Sequence, residues 1–268
     1  MPGSIYDKST KELFKEFIDS FVPPPAKEFG LIERKPLDES GHFTRQEILA
    51  WFQGHYPKLK RGTVNAHLIV MSTNAPSRVY HNLRPNGADD LLFQVDGANF
   101  RLYIKETDPP PIYKQSETEV SEDTDNGDDT CTEAHEFAYE NDLKNFLAGN
   151  LNVIRPSLTV YQDGDIRGVE FPVGSRRVDI LAVEDKKDFI VIELKVSKGY
   201  DRAIGQLLRY MGWIEQNLAE PGQKVKGMII ARSISDDLRL ATSRVTDVEL
   251  YEYELSISLK KIVCEAGR

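Results

Sequence analysis

Apolar residues recur at helical spacing in three segments of the first 75 residues, and two of these segments open with a capping box. Ser9–Glu12 and Thr44–Glu47 both have the Ser/Thr-x-x-Glu pattern that satisfies free N–H groups where a helix begins. Pro23–Pro25 should end the first helix, and a third helix should begin near Thr63. The expected core residues are Leu13, Phe14, Phe17, Ile18 and Phe21 of the first helix, Ile48, Leu49 and Phe52 of the second, and Val64, Leu68 and Met71 of the third.

Three stretches with the character of β-strands follow these helices, at residues 78–83, 91–95 and 100–104. Asp96-Gly97, a dipeptide typical of tight hairpin turns, joins the last two. Three helices followed by a hairpin is the element order of a winged helix-turn-helix domain. We therefore expect such a domain over residues 1–107.

The third helix of such a domain commonly carries its DNA contacts. The residues expected to face outward are Asn65, Ala66, Ile69 and Ser72. Lys58, Lys60 and Arg61 lead into the helix N-terminus, where positive charge and free N–H groups suit a phosphate. We predict that these three residues and Asn65 contact DNA, with Asn65 reaching a base edge. The alternative is a solvated basic loop and an amphipathic helix in a protein-binding module.

Two strand patterns separated by a short polar loop lie close together in the C-terminal half. They cover residues 177–184 and 188–196. If Glu184 and Asp188 close this hairpin, Asp179 and Glu193 lie directly opposite each other, with Cβ atoms about 5 Å apart. Lys195, two residues beyond Glu193, lies on the same face. A two-residue loop would instead turn Asp179 to the other face, so the register is an assumption.

The second of these strands is apolar on both faces as far as Glu193, which is typical of a buried central strand. Two carboxylates and a lysine are costly there, because like charges repel and burial opposes every charge. A hard divalent cation between Asp179 and Glu193 would remove the conflict, and Mg²⁺ accepts carboxylates together with a carbonyl and waters. Lys195 could then orient or deprotonate a metal-bound water. The alternative is a surface ion pair among these three side chains.

Negative charge is concentrated in one segment. The chain has 268 residues and a formal net charge of −9, of which residues 106–136 contribute −10 and the rest +1. This segment contains Pro109–Pro111 and almost no large apolar residue, so we expect a disordered acidic linker over residues 108–134. The flanking parts, 1–107 and 135–268, are each long enough to bury a core.

The composition excludes several classes of protein. Two cysteines, Cys131 and Cys264, are too few for a disulfide-stapled scaffold or a four-cysteine zinc site. No stretch approaches eighteen apolar residues, and Met1–Thr10 contains no apolar signal core. We therefore expect a cytoplasmic protein without a membrane partner, associated with the nucleoid if it binds DNA.

The spacing of the charged residues carries a family resemblance. Asp179 followed by Glu193-Leu194-Lys195 matches the D…(D/E)-x-K signature of the PD-(D/E)XK nuclease superfamily. Within that superfamily, residues 135–255 resemble the catalytic domain of the NucS/EndoMS mismatch endonucleases. The motifs that carry this resemblance are Glu140-Asn-Asp-Leu143, Phe171-Pro-Val-Gly174, Val178-Asp179-Ile180-Leu181, Ile192-Glu193-Leu194-Lys195 and Ala203-Ile-Gly-Gln206-Leu-Leu-Arg209-Tyr210.

The resemblance implies a mixed sheet of four or five strands flanked by helices, with roles for individual residues. Asp179 and Glu193 would bind Mg²⁺ or Mn²⁺ with help from the Leu194 carbonyl. Lys195 would position the attacking water and stabilise the charge that develops on the phosphate. Glu140 would support the metal or its waters, although the plainer interpretation is an ordinary exposed helix residue.

Four further residues have site roles with plainer alternatives. Gln206 and Tyr210 are i, i+4 neighbours on a helix expected over residues 203–217. The resemblance implies a catalytic role for Gln206 and a DNA contact for Tyr210, whereas a simple hydrogen-bonded pair also fits. Arg176 and Arg177 would reach phosphates of the scissile strand, or form an outward-facing basic pair. The expected packing stripe of the helix is Ile204, Leu207, Leu208 and Met211.

Together these expectations describe an α/β protein, α+β overall, with a winged helix-turn-helix domain and a restriction-endonuclease-like domain. The resembling family carries a β-rich N-terminal domain instead, so mismatch recognition does not carry over. We expect a Mg²⁺-dependent DNA endonuclease of restriction, genome-defence or repair type. The alternatives are a non-catalytic DNA-binding regulator with an inert nuclease fold and a protein-interaction module. One site cuts one strand, so double-strand cleavage would need a homodimer or sequential nicking.

Overall fold

The computed structural model of the chain describes two domains that share a buried interface. The described residues are 6–21, 41–84, 86–114, 132–184, 188–199 and 202–254. Pro23–Pro25, predicted to end the first helix, fall outside these ranges. None of the helices within the described ranges is long and apolar enough to cross a membrane.

The N-terminal domain combines three helices with a small antiparallel sheet. In chain order its elements are α1 (Thr10–Phe21), β1 (His42–Thr44), α2 (Arg45–His55), α3 (Arg61–Met71), a 3₁₀ turn (Pro76–Tyr80), β2 (Leu92–Gln94) and β3 (Asn99–Leu102). The strand order is β1-β3-β2, with both pairings antiparallel. The Val95 N–H donates to the Asn99 carbonyl at 2.9 Å and closes the turn at Asp96-Gly97. The predicted three helices and hairpin are therefore confirmed.

Side-chain caps explain where the first two helices begin. The Ser9 N–H donates to the Glu12 carboxylate at 2.7 Å, and the Thr44 N–H donates to the Glu47 carboxylate at 2.9 Å. Both helices bury aromatic side chains against each other and against Phe100 of β3. The buried apolar core of this domain is Leu13, Phe14, Phe17, Phe43, Ile48, Phe52, Val64, Leu68, Met71, Leu92 and Phe100.

The strand predicted at residues 78–83 is wrong, because the chain forms the 3₁₀ turn Pro76–Tyr80 there. The side chain of Arg78 is fully buried and pairs with Asp90 at 2.8 Å. A buried charge is tolerated only when its partners are in place, and these partners come from a different part of the chain. A local pattern of apolar residues does not reveal such an ion pair.

The first residues of the predicted linker are folded rather than disordered. The Arg78 guanidinium lies 5.4 Å from the ring of Tyr113, and the Ile112 N–H donates to a carbonyl of the N-terminal domain at 2.9 Å. The linker prediction is therefore wrong for residues 108–114 and also for residues 132–134, which belong to the helix Thr132–Gly149. Residues 115–131 lie outside the described part of the chain. For residues 108–114 the physical reason is the proline run, which already restricts the backbone and lowers the entropy cost of ordering it.

The C-terminal domain is a mixed sheet with helices on both faces. Its elements are α4 (Thr132–Gly149), a 3₁₀ turn (Leu151–Val153), β4 (Thr159–Val160), β5 (Gln162–Asp163), β6 (Ile166–Arg167), β7 (Val169–Val173), β8 (Arg176–Val183), β9 (Phe189–Gly199), α5 (Arg202–Asn217), β10 (Val225–Ile234), α6 (Asp236–Thr242) and β11 (Val248–Glu252). The sheet order is β11-β10-β9-β8-β4, and β7 also pairs with β8. Strand β9 is parallel to β10 and antiparallel to β8. The described residues thus form six strands of this sheet, more than the four or five implied by the resemblance.

Strand β9 is the buried centre of the sheet, as its two-sided apolar pattern predicts. Ile190, Ile192 and Leu194 pack on the face that α4 covers. Phe189 and Val191 pack on the opposite face, against the core that includes α5. Both faces of the strand are therefore shielded from water.

Helix α5 buries a stripe that is rotated part of a turn from the predicted one. Leu208, predicted to pack, is 39% exposed, and Ile204 is only partly buried. The buried residues are Ala203, Leu207, Tyr210, Met211 and Ile214. Two apolar stripes overlap in this sequence, so spacing alone does not decide between them. The observed rotation brings Tyr210 inside.

Helix α3 lies buried between the two domains. Every residue of α3 after Arg61 is buried. Val64 and Leu68 belong to the N-terminal core, whereas Ala66 and Val70 belong to the C-terminal core. Apolar side chains on opposite sides of α3 therefore complete two different cores, and its buried polar residues are Thr63, Asn65 and His67. The predicted outward face is therefore wrong, since four residues assigned to it are at most 6% exposed: Asn65, Ala66, Ile69 and Ser72.

Polar contacts also hold the two domains together. The Asn65 side-chain amide donates to the Pro172 carbonyl at 3.1 Å. Lys11 of α1 is buried and lies 3.0 Å from Asp165, which follows β5. Separating the domains would leave buried polar groups without these partners, which is costly. We therefore expect the domains to unfold together.

Gly62 provides a test of this interface. A Cβ at position 62 would lie 3.0 Å from Leu218 Cδ1 and 3.1 Å from the Asn217 backbone oxygen. We expect Gly62→Ala to lower the free energy of unfolding by about 1–3 kcal/mol, because the two elements must move apart. Gly54→Ala in α2, where no atom of the described residues lies within 4 Å of the new Cβ, should raise the free energy of unfolding by up to about 1 kcal/mol. Urea unfolding of the full chain measures both changes, and equal effects would contradict a tight contact at Gly62.

Candidate active site

Strands β8 and β9 pair in the predicted register. Ile180 pairs with Ile192, so Asp179 and Glu193 come next at the end of the ladder. The Asp179 carboxylate accepts a hydrogen bond from the Leu194 N–H at 2.8 Å. This bond holds Asp179 against the backbone of β9, in the middle of the Glu-x-Lys motif.

Glu193 and Lys195 contact each other on β9. Lys195 Nζ donates to Glu193 Oε1 at 2.8 Å. Glu193 is 2% exposed, and its Oε2 atom has no hydrogen-bond partner among the described residues. A buried polar atom without a partner costs about 1–3 kcal/mol, and more when it is charged. A positive group at Oε2 would offset that cost.

Helix α4 brings a third carboxyl group to the same strand ends. Leu143 and Leu147 pack α4 onto the sheet, and Glu140 lies one turn before Leu143. Burial and the negative charge of Asp179 raise the pKa of Glu140 to about 7, against the attraction of Lys195. Glu140 is half-buried, so it is not the exposed helix residue of the plainer interpretation.

The remaining charged groups of the cluster also have shifted pKa values. Burial raises the pKa of Glu193 to about 8, and the charge of Asp179 adds to this effect. Burial also raises the pKa of Asp179, although Lys195 opposes the change. For Lys195, burial lowers the pKa, but Glu193, Asp179 and Glu140 outweigh it and raise the pKa above its ordinary value. Three acids and one lysine therefore share a poorly solvated environment.

Helix α5 supplies a polar pair beside these groups. Gln206 Nε2 donates to the Tyr210 hydroxyl oxygen at 3.0 Å. Burial raises the pKa of Tyr210, and the charge of Glu193 raises it further. The hydrogen bond of the plainer interpretation is thus present. The catalytic role of Gln206 and the DNA contact of Tyr210 stay predictions.

Two charged residues outside the predicted set, Lys144 and Glu170, also border the cluster. Lys144 is buried one turn after Glu140 on α4, and it pairs with Glu170 of β7. Glu170 has a φ of 49°, which is uncommon for a residue with a side chain. The i, i+4 spacing of Glu140 and Lys144 was available in the sequence, but exposed helices often show the same spacing.

The predicted basic contacts fall into two groups. Arg176 and Arg177 are exposed at the start of β8, shortly before Asp179, and Arg177 Nε lies 3.2 Å from a Glu170 carboxylate oxygen. Both side chains are therefore near the carboxylate cluster. Their contact with phosphates stays a prediction.

The second group lies at the other end of α5. Lys60 pairs with Glu220 at 3.0 Å, and Glu220 follows the last residue of α5, Asn217. Along the helix axis, Asn217 is about 16 Å from Gln206. Lys58 and Arg61 are exposed close to Lys60 in the chain, and the Asn65 side chain is buried. Lys58, Lys60 and Arg61 are therefore not brought to the carboxylate cluster. The buried Asn65 side chain instead donates to the Pro172 carbonyl of β7, so its predicted base contact is wrong.

A divalent cation suits the donors of this cluster. Within the described ranges, no three His, Cys, Asp or Glu side chains are close enough to form a ready-made ligand cage. Mg²⁺ does not require one, because it takes one or two carboxylates and completes its shell with water and substrate oxygens. The unpartnered Glu193 Oε2 beside Asp179 offers such a donor set.

The C-terminal domain is thus a mixed sheet between helices, and it carries acidic residues and a lysine at the ends of adjacent strands. Residues 139–257, which contain the whole cluster, match the family model described as Endonuclease NucS C-terminal domain. Residues 32–102 match a second model, described as Domain of unknown function (DUF7669). The catalytic-domain resemblance therefore holds for the C-terminal part of the chain.

Individual proteins show the same partial similarity. Endonuclease NucS of Methanopyrus kandleri is 29% identical over 103 residues, which are 38% of this chain and 36% of that protein. The chain thus spans about a third of the length of this curated relative. A repair endonuclease from Pyrococcus abyssi is 22% identical with a TM-score of 0.36, covering 49% of each chain. An EndoMS–dsDNA complex is 21% identical with a TM-score of 0.36, covering 44% of this chain and 46% of that one.

The raised pKa of Glu193 predicts how a substitution changes stability with pH. In the metal-free protein the folded state retains a proton that the unfolded chain releases above a pKa of about 4.5. The wild-type protein therefore loses stability as pH rises from about 4.5 to about 8. Glu193→Gln removes this loss, so the variant should be more stable at pH 8 by at least about 1.4 kcal/mol, the equivalent of one pKa unit.

Glu184→Gln, on the same pair of strands, is the matched control with the opposite sign. Hydrogen bonds from Arg155 and Lys226 hold the pKa of Glu184 below its usual value. Its contribution is present above the unfolded pKa and is lost as pH falls, so Glu184→Gln should destabilise the protein at pH 8. Urea unfolding in EDTA at pH 5 and pH 8 measures both variants. A pH-independent effect of Glu193→Gln would contradict the buried carboxylate.

Proposed function

We propose that this protein is a metal-dependent endonuclease that hydrolyses phosphodiester bonds in DNA through a PD-(D/E)XK site. The observation that carries the proposal is the buried Glu193, whose Oε2 has no hydrogen-bond partner among the described residues. Asp179 is held beside it by the Leu194 N–H, and Lys195 contacts its other carboxylate oxygen. The similarity of residues 139–257 to the NucS C-terminal domain supports the same reaction. The proposed setting is DNA repair, restriction or genome defence.

Each acidic residue has a proposed role toward the metal. Asp179 and Glu193 would hold Mg²⁺ or Mn²⁺, with the Leu194 carbonyl as a further ligand and Glu140 supporting the metal or its waters. When bound, the cation supplies Lewis acidity, which lowers the pKa of water and offsets the charge of the phosphate. The hydrogen bond from the Leu194 N–H orients Asp179 for this role.

Lys195 acts as a donor rather than as a base. Burial lowers its pKa, but the surrounding carboxyl groups raise the pKa by more, so the ammonium stays protonated at neutral pH. One of its protons is engaged by Glu193 Oε1, which leaves two N–H groups for the attacking water and a phosphate oxygen. Of the two expected roles, orienting water and deprotonating it, the environment therefore favours the first.

The path of the DNA is proposed to follow the start of β8 rather than α3. Helix α3 is buried between the domains, so its side chains cannot enter a groove of DNA without separating them. Arg176, exposed three residues before Asp179, is instead proposed to contact a phosphate near the scissile bond. One chain then cuts one strand, and double-strand cleavage would use a homodimer or two successive nicks.

A nicking assay tests the proposed reaction. Purified full-length protein should convert supercoiled plasmid to nicked or linear DNA with Mg²⁺ or Mn²⁺, and EDTA should stop the reaction. Asp179→Asn and Lys195→Met should each reduce the rate by at least about 100-fold, because each removes a group that acts on the reacting phosphate.

Glu184→Gln is again the control, since it changes a carboxylate of the same pair of strands outside the cluster and should retain most of the activity. Fluorescence anisotropy reports DNA binding in parallel. Binding without cleavage by the wild-type protein, over all metals and over unmodified, methylated, mismatched and branched DNA, would identify a non-catalytic DNA-binding regulator instead. Cleavage by Asp179→Asn at the wild-type rate would remove the assigned site.

Salt dependence separates the two groups of basic residues. Arg176→Ala should weaken DNA binding and reduce the slope of log K against log salt by about 1, because one phosphate contact is lost. Arg61 is the first residue of α3 and lies near the C-terminal end of α5, away from the cluster. Arg61→Ala should therefore leave both the affinity and the slope unchanged. Anisotropy titrations from low to physiological salt measure the two variants. If Arg61→Ala weakened DNA binding and Arg176→Ala did not, the DNA would bind at the N-terminal basic residues instead.

A further inference from the structure

The N-terminal domain contacts the helix that carries Glu140. The Tyr80 hydroxyl, at the end of the 3₁₀ turn, donates to Asn141 Oδ1 at 2.9 Å. The ring of Tyr80 lies 5.3 Å from Lys144 Nζ, a distance typical of a cation–π contact. Asn141 and Lys144 are the neighbour of Glu140 and the residue one turn further along α4. Tyr80 of the N-terminal domain therefore contacts two residues of α4 that lie one turn apart, Asn141 and Lys144.

Lys144 also contacts β7, which pairs with β8, the strand that carries Asp179. Its ammonium group is buried and pairs with Glu170 of β7. In the β7–β8 ladder Val169 pairs with Ile180 and Phe171 with Val178, which places Glu170 between these two pairs, at the level of Asp179. Burial raises the pKa of the Asp179 carboxyl group, and the charge of Glu170 acts on this group and raises its pKa further. Contacts thus run from Tyr80 through α4 and β7 to the strand that carries Asp179.

The backbone of Glu170 indicates that this arrangement is held against a local preference. A φ of 49° places Glu170 in the left-handed region, which is unfavourable for a residue with a side chain. Lys144 and Arg177 both contact its carboxylate and stabilise it in place. Such strain persists only where the surroundings over-determine the conformation.

We infer that Tyr80, Lys144 and Glu170 are positioning residues of the active site, through which the N-terminal domain holds α4 and β7 so that Glu140 and Asp179 face Glu193. This inference rests on the proposed nuclease function. The N-terminal domain is then part of the catalytic machinery rather than an independent DNA reader. Residues that orient metal ligands from behind typically change metal affinity or activity by about 10–100-fold when they are substituted.

The full-length protein with two substitutions at Tyr80 tests the first contact. Tyr80→Leu removes both the hydroxyl and the ring over Lys144, so we expect kcat to fall about tenfold and the half-saturating Mg²⁺ concentration to rise about tenfold. KM for DNA should stay unchanged, because Tyr80 does not touch the proposed path of the DNA. Tyr80→Phe keeps the ring over Lys144, so its kcat and its half-saturating Mg²⁺ concentration should lie between those of the wild type and of Tyr80→Leu. Wild-type values of kcat and half-saturating Mg²⁺ for Tyr80→Leu would overturn the inference.

Thr63→Val is the control for a purely structural role of the interface. The Thr63 hydroxyl donates to Asp163 at 3.2 Å across the same interface, but outside the carboxylate cluster. Thr63→Val should leave kcat and the Mg²⁺ requirement unchanged. An equal loss in Thr63→Val and Tyr80→Leu would mean that Tyr80 merely joins the domains, and it would overturn the positioning role.

Lys144 provides a rescue test. Lys144→Met removes the charge that pairs with Glu170 and should reduce kcat at least tenfold, whereas Lys144→Arg keeps the charge and should recover most of the rate. If both variants were equally impaired while remaining folded, the ion pair would not be what positions the site. Circular dichroism at the assay temperature confirms that each variant is folded.

A measurement without catalysis separates this inference from the nuclease proposal. Hydrogen–deuterium exchange of the segment 140–149 should be faster in Tyr80→Leu than in the wild-type or Thr63→Val protein, because α4 loses its anchor. If the wild-type protein cleaved no DNA, the nuclease proposal would fail, and exchange would still decide whether Tyr80 holds α4. Unchanged exchange in Tyr80→Leu would overturn the inference whatever the activity of the protein.

Discussion

Three carboxyl groups and one lysine meet where apolar strands end, with Glu193 buried and the other three half-buried, and this cluster is the constraint on which the site depends. Asp179, Glu193 and Glu140 would each be more stable as anions in water, and their raised pKa values express that cost. Lys195 offsets part of the repulsion through its contact with Glu193. The sheet enforces this arrangement, because the strand that carries Glu193 is packed on both faces. Groups held away from water in this way are suited to a reaction that develops charge.

The second structural constraint is the helix that the two domains share. α3 gives Val64 and Leu68 to one core and Ala66 and Val70 to the other, so neither domain completes its own core without it. A winged helix-turn-helix arrangement is usually associated with a recognition helix that is free to enter DNA, but a fold does not determine a function. Here the same three helices and hairpin support the neighbouring domain.

The two constraints meet at Tyr80. This residue lies on the N-terminal side of the interface and contacts the turn of α4 that follows Glu140. The similarity to the NucS C-terminal domain begins at residue 139, directly before Glu140, and does not include the N-terminal domain. The NucS-like domain is therefore paired with a domain whose contribution has to be understood from its contacts.

Local sequence determined the elements and the register of the site. The capping boxes placed the first two helices, and the two-sided apolar run placed the central strand β9, because these signals depend on residues within one turn or one strand. The pairing of Glu184 with Asp188 correctly gave the register of β8 and β9 as far as Ile180 and Ile192, the residues next to Asp179 and Glu193. The tertiary structure alone decided the features that depend on contacts between residues far apart in the chain. It turned residues 78–83 into a turn around the buried Arg78, and it covered α3 with a second domain. It also joined Lys144 to Glu170, which are 26 residues apart in the chain. An apolar pattern shows that a surface is buried but not which partner covers it, and no spacing rule links two charges on different elements.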